Sequence, residues 1–201
     1  MPLDPQIQGQ LADQYRGLLR EHGDAPEACQ WSPEGQRFRF EKLAQIAPLA
    51  GRIILDVGCG LGHLYPFLNQ KFGAVQYTGI DIVPEMIAHA AKRHPEARFL
   101  VHDLLHAPLP EKFDYVLMSG PFNNAMPEAT EFLKELVSAA FAQCSAGLGF
   151  NFTSTHVNFR DAAMAYHDPA EVLDFCLRNL TRRVVLDHHY ERCDVAVFAY
   201  R

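Results

Sequence analysis

The sequence predicts an α/β domain whose mostly parallel, doubly wound sheet of seven strands is covered by helices on both faces. From residue 52 onward, short apolar runs alternate with segments of helical period, a pattern typical of buried parallel strands joined by crossover helices. The last two strand candidates are separated only by Tyr190–Cys193, which is too short for a crossover helix. They are therefore expected to pair antiparallel, as a hairpin that closes an otherwise parallel sheet.

Each strand candidate is a short run rich in apolar or β-branched residues. In chain order, these runs are Arg52–Val57, Gln76–Asp81, Ala97–His102, Phe113–Ser119, Gly147–Ser154, Thr181–His188 and Asp194–Tyr200. Four helical stripes lie between them, beginning at Leu64, Met86, Phe132 and Leu173. The last helix has the best-defined start, with Asp168 as its N-cap, Pro169 as its first residue and Glu171 as the capping-box partner.

Residues 1–50 show a different pattern from the rest of the chain. Gln6–His22 and Pro33–Leu49 have helical patterns, and the Gly- and Pro-bearing link Gly23–Ser32 joins them. We interpret this segment as a helical preface that packs on the sheet edge or forms a lid over the site. Residues 51–201 then carry the sheet, and the whole chain is expected to form one domain.

Composition excludes several classes of function. The formal net charge is −6 and no basic cluster is longer than a pair, which argues against a nucleic-acid partner because phosphate binding needs a basic face. No apolar run reaches the roughly 18 residues that span a bilayer, so no membrane association is expected. The five cysteines are scattered without a CxxC pair, which indicates a cytoplasmic protein with no disulfide framework and no metal site.

A glycine-rich turn follows the first strand. Gly58, Gly60 and Gly62 stand at alternate positions, and an amphipathic helix follows at once. Glycines permit unusual backbone angles and let a ligand approach the chain, while a helix N-terminus favours an anionic group. The dinucleotide fingerprint G-x-G-x-x-G is absent, because His63 stands where its third glycine would be.

This G-x-G-x-G pattern, with Asp56 before it, resembles motif I of the class I S-adenosylmethionine (SAM)-dependent methyltransferases, which have a Rossmann-like fold. Other residues extend the resemblance in the expected order. Asp81 ends the second strand nineteen residues after Gly62, Asp103 follows the third strand, and Phe113–Val116 reads FDYV in the fourth. The resemblance covers about residues 50–201 and implies that SAM is the cofactor, with S-adenosylhomocysteine (SAH) as its product.

The resemblance also implies roles for individual residues. Asp81 would accept hydrogen bonds from both ribose hydroxyls, Asp103 would accept one from the adenine amino group, and Asp56 would orient the loop and the cofactor's amino group. The remaining positions implied to contact the cofactor are Ile82 and Leu104, on either side of the adenine ring, and Gly58, Gly60 and Gly62, along the methionyl and ribose portions.

The preface contains a further resemblance. Trp31 followed by Arg39-Phe40 is similar to a subgroup of small bacterial methyltransferases whose N-terminal helix closes over SAM. This resemblance implies that Arg39, or alternatively Arg37, binds the cofactor's carboxylate; the other interpretation is a solvated helix face. Trp31 or Tyr15 is expected either to stack near the sulfonium or to fill the seam between helix and sheet.

The acceptor is expected at the carboxyl ends of strands four and five. In this region Ser119 is assigned to the cofactor, and Asn123 and Asn124 are assigned to orienting the substrate. His156 is assigned the role of general base; the alternative is a histidine that only forms structural hydrogen bonds. Family members that methylate amino groups of DNA or protein carry Asn/Asp-Pro-Pro-aromatic after strand four. Ser119–Phe122 (SGPF) keeps only the second half of that motif, which favours a small-molecule methyl acceptor.

Two other functions stay open. One is a non-catalytic SAM- or SAH-binding subunit that scaffolds a partner. The other is a nicotinamide-dependent oxidoreductase, which His63 and the terminal hairpin both oppose. The sequence leaves undecided whether the acceptor atom is N, O, S or C, and it does not indicate the oligomeric state.

Overall fold

Seven strands form one mixed sheet in the computed structural model, which describes residues 5–189 and 193–201. The strands are β1 Ile53–Val57, β2 Gln76–Asp81, β3 Arg98–Val101, β4 Phe113–Met118, β5 Cys144–Thr153, β6 Val184–Asp187 and β7 Asp194–Tyr200. Their order across the sheet is β3-β2-β1-β4-β5-β7-β6. The predicted fold class is confirmed.

Strand β7 runs antiparallel to both of its neighbours, β5 and β6, whereas the other pairings are parallel. The expected antiparallel pairing of the last two strands is thus confirmed, while residues 190–192 of the proposed turn lie outside the described residues. The strands that follow β1 in the chain, β2 and β3, lie on one side of it, whereas β4 and β5 lie on its other side, so the strand order reverses between β1 and β4. In open α/β sheets a crevice forms at such a reversal, outside the carboxyl ends of the strands.

Six α-helices accompany the sheet in the described part of the chain. They are α1 Pro5–His22, α2 Pro33–Leu43, α3 Leu64–Phe72, α4 Pro84–Arg93, α5 Ala129–Gln143 and α6 Pro169–Asn179. Helix α6 begins as predicted, because the Asp168 carboxylate accepts the backbone N–H of Ala170 at 2.8 Å. Glu171, expected to complete a capping box, instead accepts a hydrogen bond from Lys134 at 2.8 Å.

Several predicted boundaries differ from the structure, and two of the differences have a local cause. Helix α2 ends at Leu43 and gives way to a short 3-10 turn, Ala44–Ile46, instead of continuing to Leu49. Ala47 is extended because it precedes Pro48, whose ring disfavours helical backbone in the residue before it. Strand β5 begins at Cys144, three residues before the predicted start at Gly147, since α5 leads directly into it.

The core lies on both faces of the sheet. On one face α5 and α6 bury a large cluster that includes Leu133, Val137 and Val172. On the other face α2 and α3 pack a second cluster around Leu43 and Leu68. Helix α1 joins a third, smaller cluster that covers the carboxyl ends of the first strands. Among the described residues, no helix combines the length and apolar character needed to cross a bilayer.

Candidate active site

A cleft opens at the carboxyl ends of β1, β2 and β4, at the reversal point of the sheet. Its empty space is about 940 Å³ including the open mouth. Loops after these strands form its floor, and α1 with the segment before α2 forms its roof. Tyr15, Cys29 and Trp31 belong to that roof.

The glycine turn is tied to β2 and leaves its backbone open to the cleft. The N–H groups of Gly58 and Cys59 both donate to the carbonyl of Ile80, at 2.9 and 3.0 Å. Gly60 has a φ of +52°, and a Cβ atom there would lie 2.9 Å from the Cys29 sulfur. Gly58 and Gly60 line the cleft, but Gly62 packs against the ring of Phe99 instead.

Asp81 lies where β2 ends and lines the cleft. One of its carboxylate oxygens accepts the N–H of Gly60 and the other accepts the N–H of Val83, both at 2.9 Å. Burial raises the pKa of Asp81 above its ordinary value, although these backbone N–H groups act in the opposite direction. Each oxygen keeps a free lone pair for a ligand, which matches the chemistry of a vicinal diol.

Asp103 lies at the same end of the cleft, beside Ile82 and Leu104, which also line it. One Asp103 oxygen accepts the N–H of Leu105 at 2.9 Å, and the other accepts the side-chain amide of Gln8 at 2.8 Å. Gln8 belongs to α1, and its NH₂ group is the same type of donor as an aromatic amino group. The carboxylate is therefore suited to an amino group, but Gln8 occupies one of its oxygens in this structure.

Asp56 differs from its expected position. Its carboxylate does not line the cleft and accepts the hydroxyl hydrogen of Tyr77 at 2.5 Å. Because Asp56 is only 2% exposed, burial raises its pKa to about 7. Consecutive side chains of a strand point to opposite faces, so Val57 reaches the cleft while Asp56 points away from it.

Arg39 also lies outside the cleft lining. Its guanidinium forms an ion pair with Asp194 at 2.5 Å, donates to the carbonyl of Gly35 at 3.0 Å, and stacks 3.7 Å from the ring centre of Trp31. The ion pair with the buried carboxylate of Asp194 thus holds the Arg39 guanidinium against the ring of Trp31 and away from the cleft lining. The alternative, Arg37, is exposed and pairs with Glu41 on the same helix. Neither placement supports the expected contact with a cofactor carboxylate.

The expected acceptor residues are only partly brought together. Asn124 and Ser119 line the cleft, and the buried hydroxyl oxygen of Ser119 has no hydrogen-bond partner among the described residues. Asn123 points elsewhere and accepts the hydroxyl of Thr153 at 3.3 Å. His156 is exposed on the loop after β5, with its ring centre 6.0 Å from that of His188, so the structure does not place it at the cleft.

The structure adds Gln30, Phe132 and Leu136 to the site, together with contacts that the sequence pattern did not indicate. Tyr15 and Asn124 meet Gln30 in a hydrogen-bonded ring at the cleft wall. Phe132 and Leu136 of α5 contribute an apolar wall, although their helical stripe predicted only core packing. One local signal for the ring was the Gly- and Pro-bearing link that contains Gln30, but the partners of Gln30 lie far away in sequence.

The groups present fit an adenosyl ligand. One cleft is lined by two carboxylates, which suit a diol and an amino group, and by the apolar side chains between them. The same cleft is lined by a glycine turn that a Cβ would obstruct and by a serine hydroxyl that has no hydrogen-bond partner among the described residues. Among the described residues, no cluster of three or more His, Cys, Asp or Glu is arranged to hold a metal ion. Fold and site together define an α/β domain that binds a nucleoside-containing cofactor.

Comparison with known proteins identifies the family. The family model described as "Methyltransferase domain" matches residues 54–140. A Mycobacterium tuberculosis protein named as a methyltransferase, Rv1506c, is 31% identical over 144 residues, which cover 68% of this chain and 86% of the relative. The trans-aconitate 2-methyltransferase of Escherichia coli is 28% identical over 142 residues, covering 69% of this chain. That match spans 56% of the E. coli protein's length.

A solved structure agrees with the fold. The N-methyltransferase NodS from Bradyrhizobium japonicum, in complex with SAH, superposes with a TM-score of 0.65 at 19% identity, covering 94% of this chain and 98% of that one. The chain belongs to the class I SAM-dependent methyltransferases. It is an enzyme that uses SAM as its methyl donor.

Proposed function

We propose that this enzyme transfers the methyl group of SAM to a small-molecule acceptor. One observation carries the proposal: a single cleft of limited size is lined both by the two carboxylates and by apolar side chains that include Trp31, Phe132 and Leu136. Relatives support it, since the E. coli protein is named for a small-molecule substrate. The net charge of −6 argues against a nucleic-acid acceptor.

Residues at the strand ends would bind the cofactor. Asp81 would accept the ribose hydroxyls and Asp103 the adenine amino group, with Ile82 and Leu104 on either side of the adenine. The unpartnered hydroxyl of Ser119 is available to the methionyl portion of the ligand. Gly58 and Gly60 would keep side chains out of the way of that portion.

When bound, SAM supplies a methyl group already activated on a sulfonium. The protein's contribution is to align the acceptor with that methyl group and to exclude water, and alignment alone supplies several kcal/mol. Asp81 and Asp103 place negative charge along the cleft, which favours a cationic ligand. Of the described histidines only His102 lines the cleft; it lies at the Asp103 end and its ring bonds the carbonyl of Ala107 at 2.8 Å.

The N-terminal segment, residues 1–50, would serve as a lid over residues 51–201 within one domain. Three contacts of α1 support this role: Gln8 with Asp103, Tyr15 with Asn124, and an ion pair of Arg16 with Glu85 at 2.7 Å. Each contact reaches a different segment around the cleft. We also propose a cytoplasmic location, which the scattered spacing of the five cysteines supports.

Titration calorimetry with SAH tests the cofactor assignment. We expect saturable binding of one SAH per chain and no binding of NADH in the same buffer; the reverse result would contradict the proposal and support an oxidoreductase. Transfer of radiolabel from methyl-labelled SAM into a metabolite extract then tests the reaction. Binding of SAH without labelled product in any extract would support the scaffold function instead.

A further inference from the structure

The indole ring of Trp31 is held from two sides at the roof of the cleft. The Arg39 guanidinium covers one face, 3.7 Å from the ring centre, and the buried carboxylate of Asp194 pairs with that guanidinium at 2.5 Å. One edge of the ring meets Gly120, where a Cβ atom would lie 2.6 Å from the Cζ2 atom of the indole and 3.2 Å from its Cε2 atom. Trp31 lines the cleft whereas Arg39 does not, so the indole contributes surface that Arg39 leaves uncovered.

Gly120 is itself fixed by a buried side chain. Its backbone N–H donates to the Asn151 carbonyl oxygen at 3.0 Å, and Asn151 lies in β5 with 1% of its surface exposed. The φ of Gly120 is +88°, which side chains rarely adopt. A side chain here would therefore strain the backbone and also displace the indole. This pair of constraints accounts for the glycine in the SGPF segment, which the cofactor contacts alone leave unexplained.

The position of this contact across the sheet separates it from the proposed ribose site. Asp81 ends β2, whereas Gly120 lies two residues beyond the end of β4, and β1 with its glycine turn lies between those strands. Neighbouring strands are about 4.8 Å apart, so the ends of β2 and β4 are roughly 10 Å apart. Pro121 packs on the turn, since a Cβ atom at Gly58 would lie 3.3 Å from its Cβ atom. Trp31 thus meets the floor on the side of β4, where the acceptor is expected.

We infer that Trp31 determines acceptor specificity: its indole forms the wall against which an apolar part of the acceptor lies. Arg39 and Gly120 are positioning residues that act through this wall. A ring held on a face and on an edge cannot yield to an acceptor of another shape without breaking one of these contacts. The inference rests on the proposed function, and it places no condition on the charge of the acceptor.

Labelling of one metabolite extract tests the inference without knowledge of the natural acceptor. Wild type and Trp31→Ala are each given methyl-labelled SAM at saturating concentration, and the labelled products are separated by chromatography. The products of the wild type should fall at least about tenfold in Trp31→Ala, because an acceptor without its wall is misaligned with the methyl group. Trp31→Phe keeps a flat apolar ring and should restore part of this labelling. Calorimetry should show the same affinity for SAH in all three proteins.

Ile82→Ala is the matched control, because Ile82 is a large apolar residue that lines the same cleft at the proposed adenine end. It should show the opposite pattern, with weaker binding of SAH and unchanged relative amounts of the labelled products at saturating SAM. The two variants together separate a wall for the acceptor from a contact with the cofactor.

Gly120→Ala tests the positioning role while leaving the indole in the chain. Trp31 is the chain's only tryptophan, so its fluorescence reports on this wall alone. The added methyl group should displace the ring, shift its emission and reproduce the labelling pattern of Trp31→Ala. Shifted emission with wild-type labelling would overturn the inference.

Trp31→Ala decides the inference even if Gly120→Ala fails to fold. Wild-type relative labelling in Trp31→Ala would overturn it, and so would a loss of SAH affinity that accounts for the whole loss of product. Absence of labelled product with the wild-type protein would instead contradict the proposed function.

Discussion

Replacing Asp81 with asparagine most directly tests the proposed hydrogen bonds between Asp81 and the ribose hydroxyls. In the wild type both carboxylate oxygens accept a backbone N–H, from Gly60 and from Val83. Asparagine keeps one oxygen and turns the other position into a donor, which then faces an N–H donor. A hydrogen bond to a charged acceptor is worth about 1.5–3 kcal/mol, and a ribose hydroxyl would lose one. The dissociation constant of SAH should therefore rise by about 10- to 150-fold.

Calorimetry with SAH and with 2′-deoxy-SAH separates the ribose contact from damage to the loop. If Asp81 binds the hydroxyl, Asp81→Asn should weaken SAH far more than 2′-deoxy-SAH, with a coupling of about 1.5 kcal/mol or more. Asp114→Asn is the matched control, since Asp114 also accepts a backbone N–H, that of Ile53, but at the amino-terminal edge of the sheet. Equal losses for both ligands would refute a direct contact between Asp81 and the ribose.

Three further perturbations have defined outcomes. Gln8→Ala should tighten SAH binding by about threefold to tenfold, because a competing donor is removed, whereas Gln10→Ala, an exposed change on the same helix, should have no effect by calorimetry. The free energy of unfolding of the wild type, measured in urea, should fall between about pH 4 and pH 7, and Asp56→Asn should abolish this fall. Asparagine at this position still accepts the hydroxyl hydrogen of Tyr77. Arg39→Met should destabilise the fold by about 3–5 kcal/mol in urea, because it removes the guanidinium that forms an ion pair with a buried carboxylate.

The sign of the pH effect follows from the pKa of Asp56. Folding raises this pKa from 3.8 to about 7, so the folded state holds its proton more tightly than the unfolded chain does. Stability from this group is full below pH 3.8 and is lost as the pH rises to about 7, at no more than about 1.4 kcal/mol per pH unit. A wild-type pH profile parallel to that of Asp56→Asn would contradict this reasoning. Weaker SAH binding by Gln8→Ala would likewise show that Gln8 binds the ligand.

Arg39→Met also separates two roles for that residue. If the ion pair with Asp194 is structural, the variant that still folds should bind SAH with unchanged affinity. A large loss of SAH affinity in the folded variant would restore the hypothesis that Arg39 binds the cofactor's carboxylate.

Local sequence signals predicted most of the sheet. Gln76–Asp81 and Asp194–Tyr200 were predicted to the residue. The start of β5 was missed, since no turn separates it from α5. Periodicity reports which residues are buried, and it carries no information about where a helix passes directly into a strand.

The residues of the candidate site were also predicted in part and missed in part. Asp81, Asp103, Ile82 and Leu104 line the cleft, and each was named because the resemblance to the methyltransferase family places cofactor contacts after the second and third strands. Contacts between segments that lie far apart in the chain could not be predicted from local sequence patterns. Arg39 was expected at the cofactor, but its partner Asp194 comes from the last strand, and nothing local in either segment indicates the pairing.

Helix α1 contacts the cleft through Gln8, Tyr15 and Arg16, which reach segments after β3, after β4 and on α4. If α1 serves as the proposed lid, incoming SAM and outgoing SAH both pass this helix, and both rates depend on how readily it detaches. Substitutions on its outer face would adjust turnover and product inhibition together without altering any group beside the reacting atoms.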